Sequence, residues 1–497
     1  MTDERDLSAA RVARGTVWAT VETWGLQAVQ FLTFLVLARL LGPEIYGLVG
    51  IALSVNVLGE ALIVEGGWIE SIVQRRDLDR RHLDAIFWSV LGLGLCMGVL
   101  GVLGATLVAE LYDQAQLAPL MAVLSAAVPL RSISIVPEAL LCRRLEFAPL
   151  AMRSLLSVAI AGLIGVTLAI AGAGVWSLAA YQLVQPCLGA LLVWRSVDYR
   201  PAAGFSRHFL LAMMPYVGTT LVNRVVIAAD TLLPRLVIGY FRGAGPVGFY
   251  TVARKLMEVA TQFLTRPLTR VGLSAFAADE GPEPLQRRFA WAMRLGSAAA
   301  WPGFLGLAVI APDLVALALG RGWEDAALAL RILLLSGPAW ATSRICAALL
   351  YGRGYPKAQL AIDGAGLLLL ATLFAGGATL TMPQLVGLIV LRSFLLLPLT
   401  MYLVHRATGI RPLQPLRAIW PVILAAVAMA LSALGLRAAL PLGTPDLVRL
   451  LASAGAGATI YLALLALLAR PVLLELVDSY GVTGLLPRFG RLRADRF

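Results

Sequence analysis

The sequence has few charged side chains for its length. Only 14% of its 497 residues are Asp, Glu, Lys or Arg, and 59% are hydrophobic, whereas soluble globular chains are about 25% charged. A soluble core cannot absorb this much apolar surface, so most of it must face lipid. The composition therefore predicts an all-α membrane protein without a soluble catalytic domain.

Motifs for ATP hydrolysis, metal binding and catalysis are also missing. No G-x-x-x-x-G-K-[ST] segment occurs, which excludes the phosphate loop of an ATP-driven pump. The three histidines (His82, His208 and His405) and the four cysteines lack metal-ligand spacing. We therefore expect no enzyme activity, no cofactor and no metal site. The polar and mixed charge of residues 1–14 predicts that no cleavable signal peptide is present.

Apolar runs long enough to cross a bilayer recur along the whole chain. A transmembrane helix needs about 20 apolar residues to cross a hydrocarbon core of about 30 Å, and we count fourteen such runs. They cover residues 15–40, 45–68, 85–109, 116–136, 148–171, 175–194, 208–238, 247–276, 290–311, 326–350, 358–380, 384–405, 417–439 and 447–469.

The cations are divided unevenly between alternate loops, within a formal net charge of +12. One set of loops carries only four, Arg242, Arg321, Arg437 and Arg449. The other set is rich in Arg, with clusters at residues 75–81, 195–207 and 406–417. Because cytoplasmic loops of membrane proteins are rich in Lys and Arg, we expect a multi-pass protein of the bacterial inner membrane with both termini in the cytoplasm. The same rule explains the basic charge without a nucleic-acid partner.

The chain repeats itself at a spacing near 201 residues. Residues 45–52 open span 2, and the similar residues 246–253 open span 8; each follows a long span and a Gly-Pro turn. Because six spans separate the copies, both enter the membrane from the same side. The repeat predicts two parallel six-helix bundles, residues 1–200 and 201–410, followed by two more spans (411–470) and a basic cytoplasmic tail (471–497).

Several segments resemble bacterial polysaccharide flippases, the Wzx/WzxC-like exporters of the multidrug/oligosaccharidyl-lipid/polysaccharide superfamily. The resemblance lies in residues 37–48 (Leu-Ala-Arg-Leu-Leu-Gly-Pro-Glu-Ile-Tyr-Gly-Leu), 75–88, 174–178 and 322–333. It implies a MATE-like fold and movement of a polyprenyl-pyrophosphate-linked oligosaccharide from the cytoplasmic to the periplasmic leaflet. The implied partners are that lipid-linked substrate, membrane lipids, and polysaccharide polymerase and export proteins. The turn at residues 241–246 is longer and more basic than in that family.

Span 8 carries polar residues in steps of four, Arg254, Glu258, Gln262, Arg266 and Arg270. Together with the adjacent Lys255 they form a slowly winding stripe, which is typical of a cavity wall that attracts an anionic substrate. The alternative is a local Arg254–Glu258 pair and an Arg270 that reaches the interface.

Span 7 adds Arg224 and Asp230. Folding the chain at residue 242 places Asp230 level with Arg254, so an ion pair between them is the alternative to a ligand role for both. Arg224 has no obvious partner in the sequence, which makes it the better ligand candidate. Arg344 and Arg392, in spans 10 and 12, complete the predicted cationic site.

Three acids of the first repeat, Glu22, Glu60 and Glu65, fall at similar depth when the chain is folded at residue 42. One interpretation is a site that couples transport to protons or sodium ions, to which Asp230 and Asp363 would also belong. The alternative is a set of separate ion pairs with Arg131 or Arg153.

Two other functions compete with lipid-linked oligosaccharide transport. A drug/cation antiporter of the same superfamily would need acid-lined cavities and twelve spans, which the basic excess and the two extra spans disfavour. A membrane-embedded polysaccharide polymerase or ligase would need a large extracytoplasmic loop, and the longest such loop here is only residues 312–325.

Cysteine labelling in intact cells tests the predicted topology. A membrane-impermeant maleimide should reach single cysteines in the loops with few cations and should miss those in the Arg-rich loops. The positions to compare are Gly172, Arg321 and Thr444 outside against Arg80, Arg200 and Gly281 inside. The reverse pattern would contradict the assigned orientation.

Overall fold

The computed structural model describes an all-helical chain. It covers residues 2–468 except 76–77, 203, 205–206, 278–284, 412 and 442–444, and no strand occurs in these residues. Side chains are described throughout this part except at residues 2–17, 19, 207–208, 212, 215–216, 219, 265–277 and 413–418.

Eighteen α-helices follow one another along the described chain. They are α1 Thr2–Ala52, α2 Ser54–Gly59, α3 Trp68–Gln74, α4 Arg80–Leu111, α5 Leu117–Ser125, α6 Ala127–Ser132, α7 Ile135–Arg143, α8 Phe147–Ile170, α9 Val175–Arg195, α10 Arg207–Arg242, α11 Ala244–Ala277, α12 Leu285–Leu319, α13 Glu324–Leu334, α14 Gly337–Gly352, α15 Pro356–Phe374, α16 Met382–Thr408, α17 Leu413–Ala439 and α18 Asp446–Leu468. A π-helical turn, Glu60–Val64, follows α2 and precedes α3, and a 3-10 turn, Gly377–Thr379, precedes α16.

Ten helical segments in the described residues are long and apolar enough to cross a membrane. An eleventh is added if α13 and α14, which meet at 45°, form one broken span. The three remaining predicted spans are interrupted or charged. Span 2 is divided around the π-helical turn, α10 carries Arg224, Asp230 and Arg235, and α11 carries Arg254, Lys255 and Glu258. The count of fourteen therefore stays a prediction.

Two compact units make up the chain. Unit 1 comprises Met1–Val252 with Gly377–Met382, and unit 2 comprises Ala253–Gly376 with Pro383–Phe497. The core of unit 1 packs Trp68, Phe87 and Val217 with aliphatic side chains from its other helices. Unit 2 has one core around Phe289 and Met293, and another where α17 and α18 pack beside Ala298. The six-plus-six division of the spans stays a prediction.

The corner between the first two spans lies at Gly42, as the Gly-Pro pair predicts. Gly42 has φ 78° and ψ 174°, a conformation that a residue with a Cβ rarely adopts. Pro43 follows at the start of the next helical segment, where its missing N–H needs no partner. The chain therefore reverses direction here by backbone geometry alone.

The second corner, between α10 and α11, is fixed by Arg242. Gly243 alone separates the helices and has φ 84°. Arg242 donates hydrogen bonds from Nε to the Leu380 carbonyl (2.7 Å) and from Nη2 to the Ala378 carbonyl (3.1 Å). The basic residue that distinguishes this turn from the flippase pattern therefore anchors the corner to the 3-10 turn, within unit 1.

The π-helical turn interrupts the second half of span 2. The Glu65 amide donates to the Glu60 carbonyl at 3.1 Å, an i to i−5 bond, and Gly67 then turns the chain with φ 84°. Trp68 Nε1 donates to the Leu62 carbonyl at 2.9 Å, which satisfies a backbone group that the irregular turn leaves free. Such turns are frequent at functional sites.

The two corners touch through a reciprocal pair of glycines in unit 1. A Cβ on Gly47 would overlap the Ala244 carbonyl, and a Cβ on Gly248 would overlap the Pro43 carbonyl. The two glycines are 201 residues apart, which is the spacing of the sequence repeat. Equivalent positions of the two repeats thus pack backbone to backbone, as small residues allow between membrane helices.

Adding a methyl group to either glycine should therefore destabilise the protein. We expect Gly47→Ala and Gly248→Ala each to lower the free energy of unfolding in detergent by about 1–3 kcal/mol, because backbone atoms cannot rotate out of the way. The double variant should cost less than the sum, since one separation of the corners relieves both overlaps.

Gly92→Ala in α4 is the matched control, because no atom lies within 4 Å of the position its Cβ would take. This variant should be neutral or slightly stabilising through helix propensity. Equal stability of Gly47→Ala and Gly92→Ala would contradict the packed glycine contact.

Candidate functional site

Arg224 of α10 forms an ion pair with Glu65, which directly follows the π-helical turn. Arg224 Nη1 lies 3.0 Å from Glu65 Oε2, and the two side chains are 40% and 51% exposed. The expectation that Arg224 lacks a partner is wrong, because the distance along the sequence hid a contact across two spans. An ion pair this exposed holds its members weakly, so both groups stay within reach of a ligand.

Glu22 belongs to a buried network in unit 1. Its Oε1 accepts a hydrogen bond from Ser154 Oγ at 2.7 Å. The neighbouring Arg153 pairs with Glu138 of α7, and both side chains of that pair are only 11% exposed. Arg153 was a predicted alternative partner of Glu22, Glu60 or Glu65. The structure instead gives it to Glu138, since α7 and α8 are consecutive helices that pack together.

Glu60 opens the π-helical turn and lines a cavity of about 170 Å³ in unit 1. The polar residues in its wall come from four spans. They are Asn56, Glu60, Arg131, Gln182, Gln185 and Arg235. Apolar side chains including Leu53, Ile63 and Val128 complete the wall.

The stripe of α11 lies in unit 2 and begins with a local pair. Arg254 Nε lies 3.2 Å from Glu258 Oε1, which confirms the pairing along the helix. Lys255 makes no ion pair or hydrogen bond with any side chain that the structure describes. The Arg266 side chain lies outside the described residues, and the pairing of Asp230 with Arg254 stays a prediction.

The remaining predicted residues of unit 2 lie on α14, α15 and α16. The Arg344 guanidinium stacks 5.2 Å from the centre of the Trp340 ring. Asp363 accepts a hydrogen bond from Gln359 at 2.9 Å, and Arg392 lies beside Gly366 of α15. Each of these charged groups therefore has a neighbour within its own part of unit 2.

The last two helices are tied to α12 by one carboxylate. Asp313 is 2% exposed and binds Arg437 of α17 through both oxygens, at 2.7 and 2.8 Å, with Arg449 of α18 at 3.8 Å. Next to this anchor, α12, α17 and α18 enclose an apolar cavity of about 370 Å³. Arg437 and Arg449 are thus structural cations, which their loop positions did not reveal.

The loop between α9 and α10 is fixed to the start of α4. Tyr199 donates a hydrogen bond to Asp84 Oδ1 at 2.7 Å, and the Ala202 amide donates to the same oxygen at 3.2 Å. Burial raises the pKa of Tyr199, and the bond to Asp84 raises that pKa further, so the phenol remains a donor. Trp88 Nε1 adds a bond to the Ala202 carbonyl at 2.9 Å.

Residues 36–328 match the sequence profile of a protein family described as "Polysaccharide biosynthesis protein". The chain belongs to the polysaccharide biosynthesis protein family. Its curated relatives include the succinoglycan biosynthesis transport protein ExoT of Rhizobium meliloti (strain 1021), 28% identical over 260 residues, or 52% of either chain. The match spans about half the length of that relative.

A second relative and a solved structure are also similar to this chain. The lipopolysaccharide biosynthesis protein WzxC of Escherichia coli (strain K12) is 27% identical over 65% of this chain and 66% of its own length. The fold is similar to that of the lipid II flippase MurJ in an inward closed conformation. That similarity has a TM-score of 0.74 and 12% identity, and covers 92% of this chain and all of MurJ.

A multidrug MATE transporter in an inward-facing conformation has the same kind of fold. Its TM-score is 0.61 at 17% identity, over 77% of this chain and 95% of that transporter. A MATE-like helical fold, expected from the flippase resemblance, is therefore confirmed for this member of the polysaccharide biosynthesis protein family.

Sequence reasoning missed most of the cavity around Glu60. The site predicted from the sequence did not include Asn56, Gln182, Gln185 or Arg235. A signal was nevertheless present, because carboxamides are costly in the middle of a membrane helix and mark polar contacts there. Charged residues within the spans of unit 1 thus include a buried pair (Arg153 and Glu138), an exposed pair (Arg224 and Glu65) and a group that lines the cavity.

The buried and exposed ion pairs should differ in their effect on stability. We expect Arg153→Ala to lower the free energy of unfolding by about 3–5 kcal/mol, since it leaves Glu138 buried and unpaired. Arg224→Ala, at the exposed pair, should cost no more than about 1 kcal/mol. Denaturant unfolding of the purified protein in detergent micelles measures both.

The double variant Arg153→Met with Glu138→Leu tests the reason for this difference. Removing both charges also removes the desolvation penalty, so stability should return to near that of the unsubstituted protein. A double variant as unstable as Arg153→Ala would contradict an effect of unpaired charge.

Proposed function

We propose that the protein is a flippase for a polyprenyl-pyrophosphate-linked oligosaccharide, a repeat unit of a surface polysaccharide. It moves this lipid from the cytoplasmic to the periplasmic leaflet of the bacterial inner membrane by alternating access, without catalysing a covalent change. The observation that carries the proposal is the exposed Arg224–Glu65 pair within the spans of a polysaccharide biosynthesis protein whose fold is similar to that of a lipid II flippase.

The charge of the substrate is the reason that these side chains matter. A pyrophosphate cannot cross hydrocarbon unless cations along its route replace the water it loses. Arginine suits this task because its planar donors bind phosphate oxygens in pairs. The proposed cations are Arg224, Arg254, Lys255, Arg266, Arg344 and Arg392.

Coupling to a proton or sodium gradient completes the proposal. Without an ATP-binding loop, the chain needs another source of free energy for transport against a gradient. The acids proposed for coupling are Glu22, Glu60, Glu65, Asp230 and Asp363. Glu22 suits this role because its described partner is the neutral hydroxyl of Ser154 and not a fixed cation.

The finer architecture is part of the same proposal. We infer fourteen spans, with six in each repeat and two appended, and both termini in the cytoplasm. The apolar cavity among α12, α17 and α18 is lined by Gly306, Met429 and Leu462, which suits a hydrocarbon chain. The appended helices would then hold part of the polyprenyl tail.

Deletion of the gene is the direct test of the function. The deletion strain should lose its surface polysaccharide and should accumulate lipid-linked oligosaccharide on the cytoplasmic side. Re-expression of the intact chain should restore both. Normal surface polysaccharide together with increased sensitivity to cationic drugs would instead favour the antiporter alternative.

Substitution of the proposed cations tests the site. We expect Arg224→Ala and Arg266→Ala to reduce polysaccharide export at least about tenfold, because each removes a charge-assisted phosphate contact. Their membrane levels should stay near normal. Export is scored by complementation of the deletion strain, with protein level measured in the same membranes.

Arg331→Ala is the matched control, since Arg331 lies exposed in the last turn of α13 and is not among the proposed cations. It should export normally. Normal export by both Arg224→Ala and Arg266→Ala would exclude this cationic route for the substrate.

A further inference from the structure

The cavity around Glu60 gathers polar side chains from the middle of several spans. Gln182 and Gln185 lie near the centre of α9, and Arg131 lies near the centre of the span formed by α5, α6 and α7. Glu60 begins the π-helical turn of span 2. All of the lining residues belong to unit 1.

Most of these polar groups have no partner within the described chain. Glu60, Arg131, Gln182 and Gln185 make no side-chain hydrogen bond or ion pair there, and the buried Oδ1 atom of Asn56 also has none. An unpaired arginine or carboxylate in the middle of a span costs about 2.5–3.5 kcal/mol on insertion scales. Such a cluster is typical of a binding site, whose ligand supplies the missing partners.

The donor and acceptor types of these side chains define the ligand. Arginine only donates hydrogen bonds, so Arg131 needs acceptors, and its charge together with that of Arg235 favours an oxyanion. A carboxylate only accepts, so Glu60 needs donors such as hydroxyl groups. The three carboxamides accept and donate. A ligand that carries both a phosphoryl group and hydroxyl groups satisfies all of them.

The size of the cavity limits how much of a ligand it holds. Its volume of about 170 Å³ is several times the roughly 30 Å³ occupied by one water in the liquid. It is below the roughly 300–1,000 Å³ of sites for drug-sized molecules. The cavity therefore has room for a unit of the size of a sugar phosphate but cannot enclose an entire oligosaccharide.

We propose that this cavity binds a sugar phosphate, the unit at which the first sugar of the lipid-linked substrate joins its phosphate. Arg131 and Arg235 hold the phosphoryl oxygens, Glu60 accepts from the sugar hydroxyls, and Asn56, Gln182 and Gln185 complete the hydrogen bonds. The assignment of this unit to the lipid-linked substrate rests on the proposed flippase function. The inference that the cavity binds a sugar phosphate does not depend on that proposed function.

Binding of soluble probes to the purified full chain in detergent tests the ligand class. Glucose 1-phosphate should bind, measured by calorimetry, at least about tenfold more tightly than glucose or inorganic phosphate, because each of these offers only half of the required groups. Equal affinity for glucose 1-phosphate and phosphate, or no binding of either, would overturn the proposal and leave a water-filled cavity.

Three substitutions test which side chains bind the probe. Arg131→Gln should weaken glucose 1-phosphate binding at least about tenfold, and Gln185→Leu should weaken it less. Glu60→Gln should lower the preference for glucose 1-phosphate over phosphate, since it removes both a hydroxyl acceptor and a repulsive charge. Arg331→Gln and Gln116→Leu, at exposed positions outside the cavity, are the matched controls and should bind like the unsubstituted protein.

If Arg131→Gln does not fold, Arg131→Lys keeps the charge but loses the planar pair of donors. It should bind with intermediate affinity. Unchanged affinity in Arg131→Lys together with unchanged affinity in Gln185→Leu would overturn the proposal.

Chemical protection locates the probe within the molecule. Asn56→Cys, in a chain whose four native cysteines are serine, should react with a maleimide. Glucose 1-phosphate should slow this reaction and glucose should not. Equal rates with and without glucose 1-phosphate would place any binding elsewhere and overturn the proposal.

Export assays separate this inference from the proposed function. Loss of export on gene deletion, with normal export and normal probe binding by the cavity variants, would overturn the cavity site and leave the flippase intact. Normal surface polysaccharide after deletion, with probe binding lost in Arg131→Gln, would overturn the flippase and leave a sugar-phosphate site for another substrate.

Discussion

Charge within hydrocarbon is the constraint on which the structure of this protein depends. Each ionised group in a span needs a partner, a cavity or a route to the interface, because lipid provides none. Asp313 illustrates the first solution, since a single buried carboxylate binds Arg437 through both oxygens and also approaches Arg449. Two additional helices thereby join unit 2 by an interaction that lipid strengthens and water would weaken.

The same constraint separates structural charges from charges available to a ligand. Arg153 and Glu138 satisfy each other in a buried pair, so neither can change partner at low cost. Arg224 and Glu65 meet with about half of each side chain exposed, and an incoming anion can compete with Glu65 for the guanidinium. Burial and partner, rather than the presence of an arginine in a span, therefore decide which cations can meet a substrate.

The sequence predicted the features that depend on composition and short motifs. The apolar runs predicted a helical membrane protein, and the Gly42-Pro43 pair predicted the corner between spans 1 and 2. The four-residue spacing along α11 predicted the Arg254–Glu258 pair. Contacts between distant spans could not be predicted from the sequence, because residue spacing along one helix does not define how that helix is rotated against its neighbours. Arg224 was therefore assigned no partner, although Glu65 meets it across two spans. The cavity wall was missed for the same reason, since its carboxamides become a cluster only when four spans pack.

One irregular turn connects the two accessible groups of unit 1. Glu60 opens the π-helical turn and lines the polar cavity, while Glu65 closes it and pairs with Arg224. A π-helical turn holds one residue more than regular helix in the same length, and losing it would rotate the residues on one side against those on the other. The polar cavity and the exposed ion pair therefore depend on the same five-residue turn, so a change in the geometry of that turn alters both.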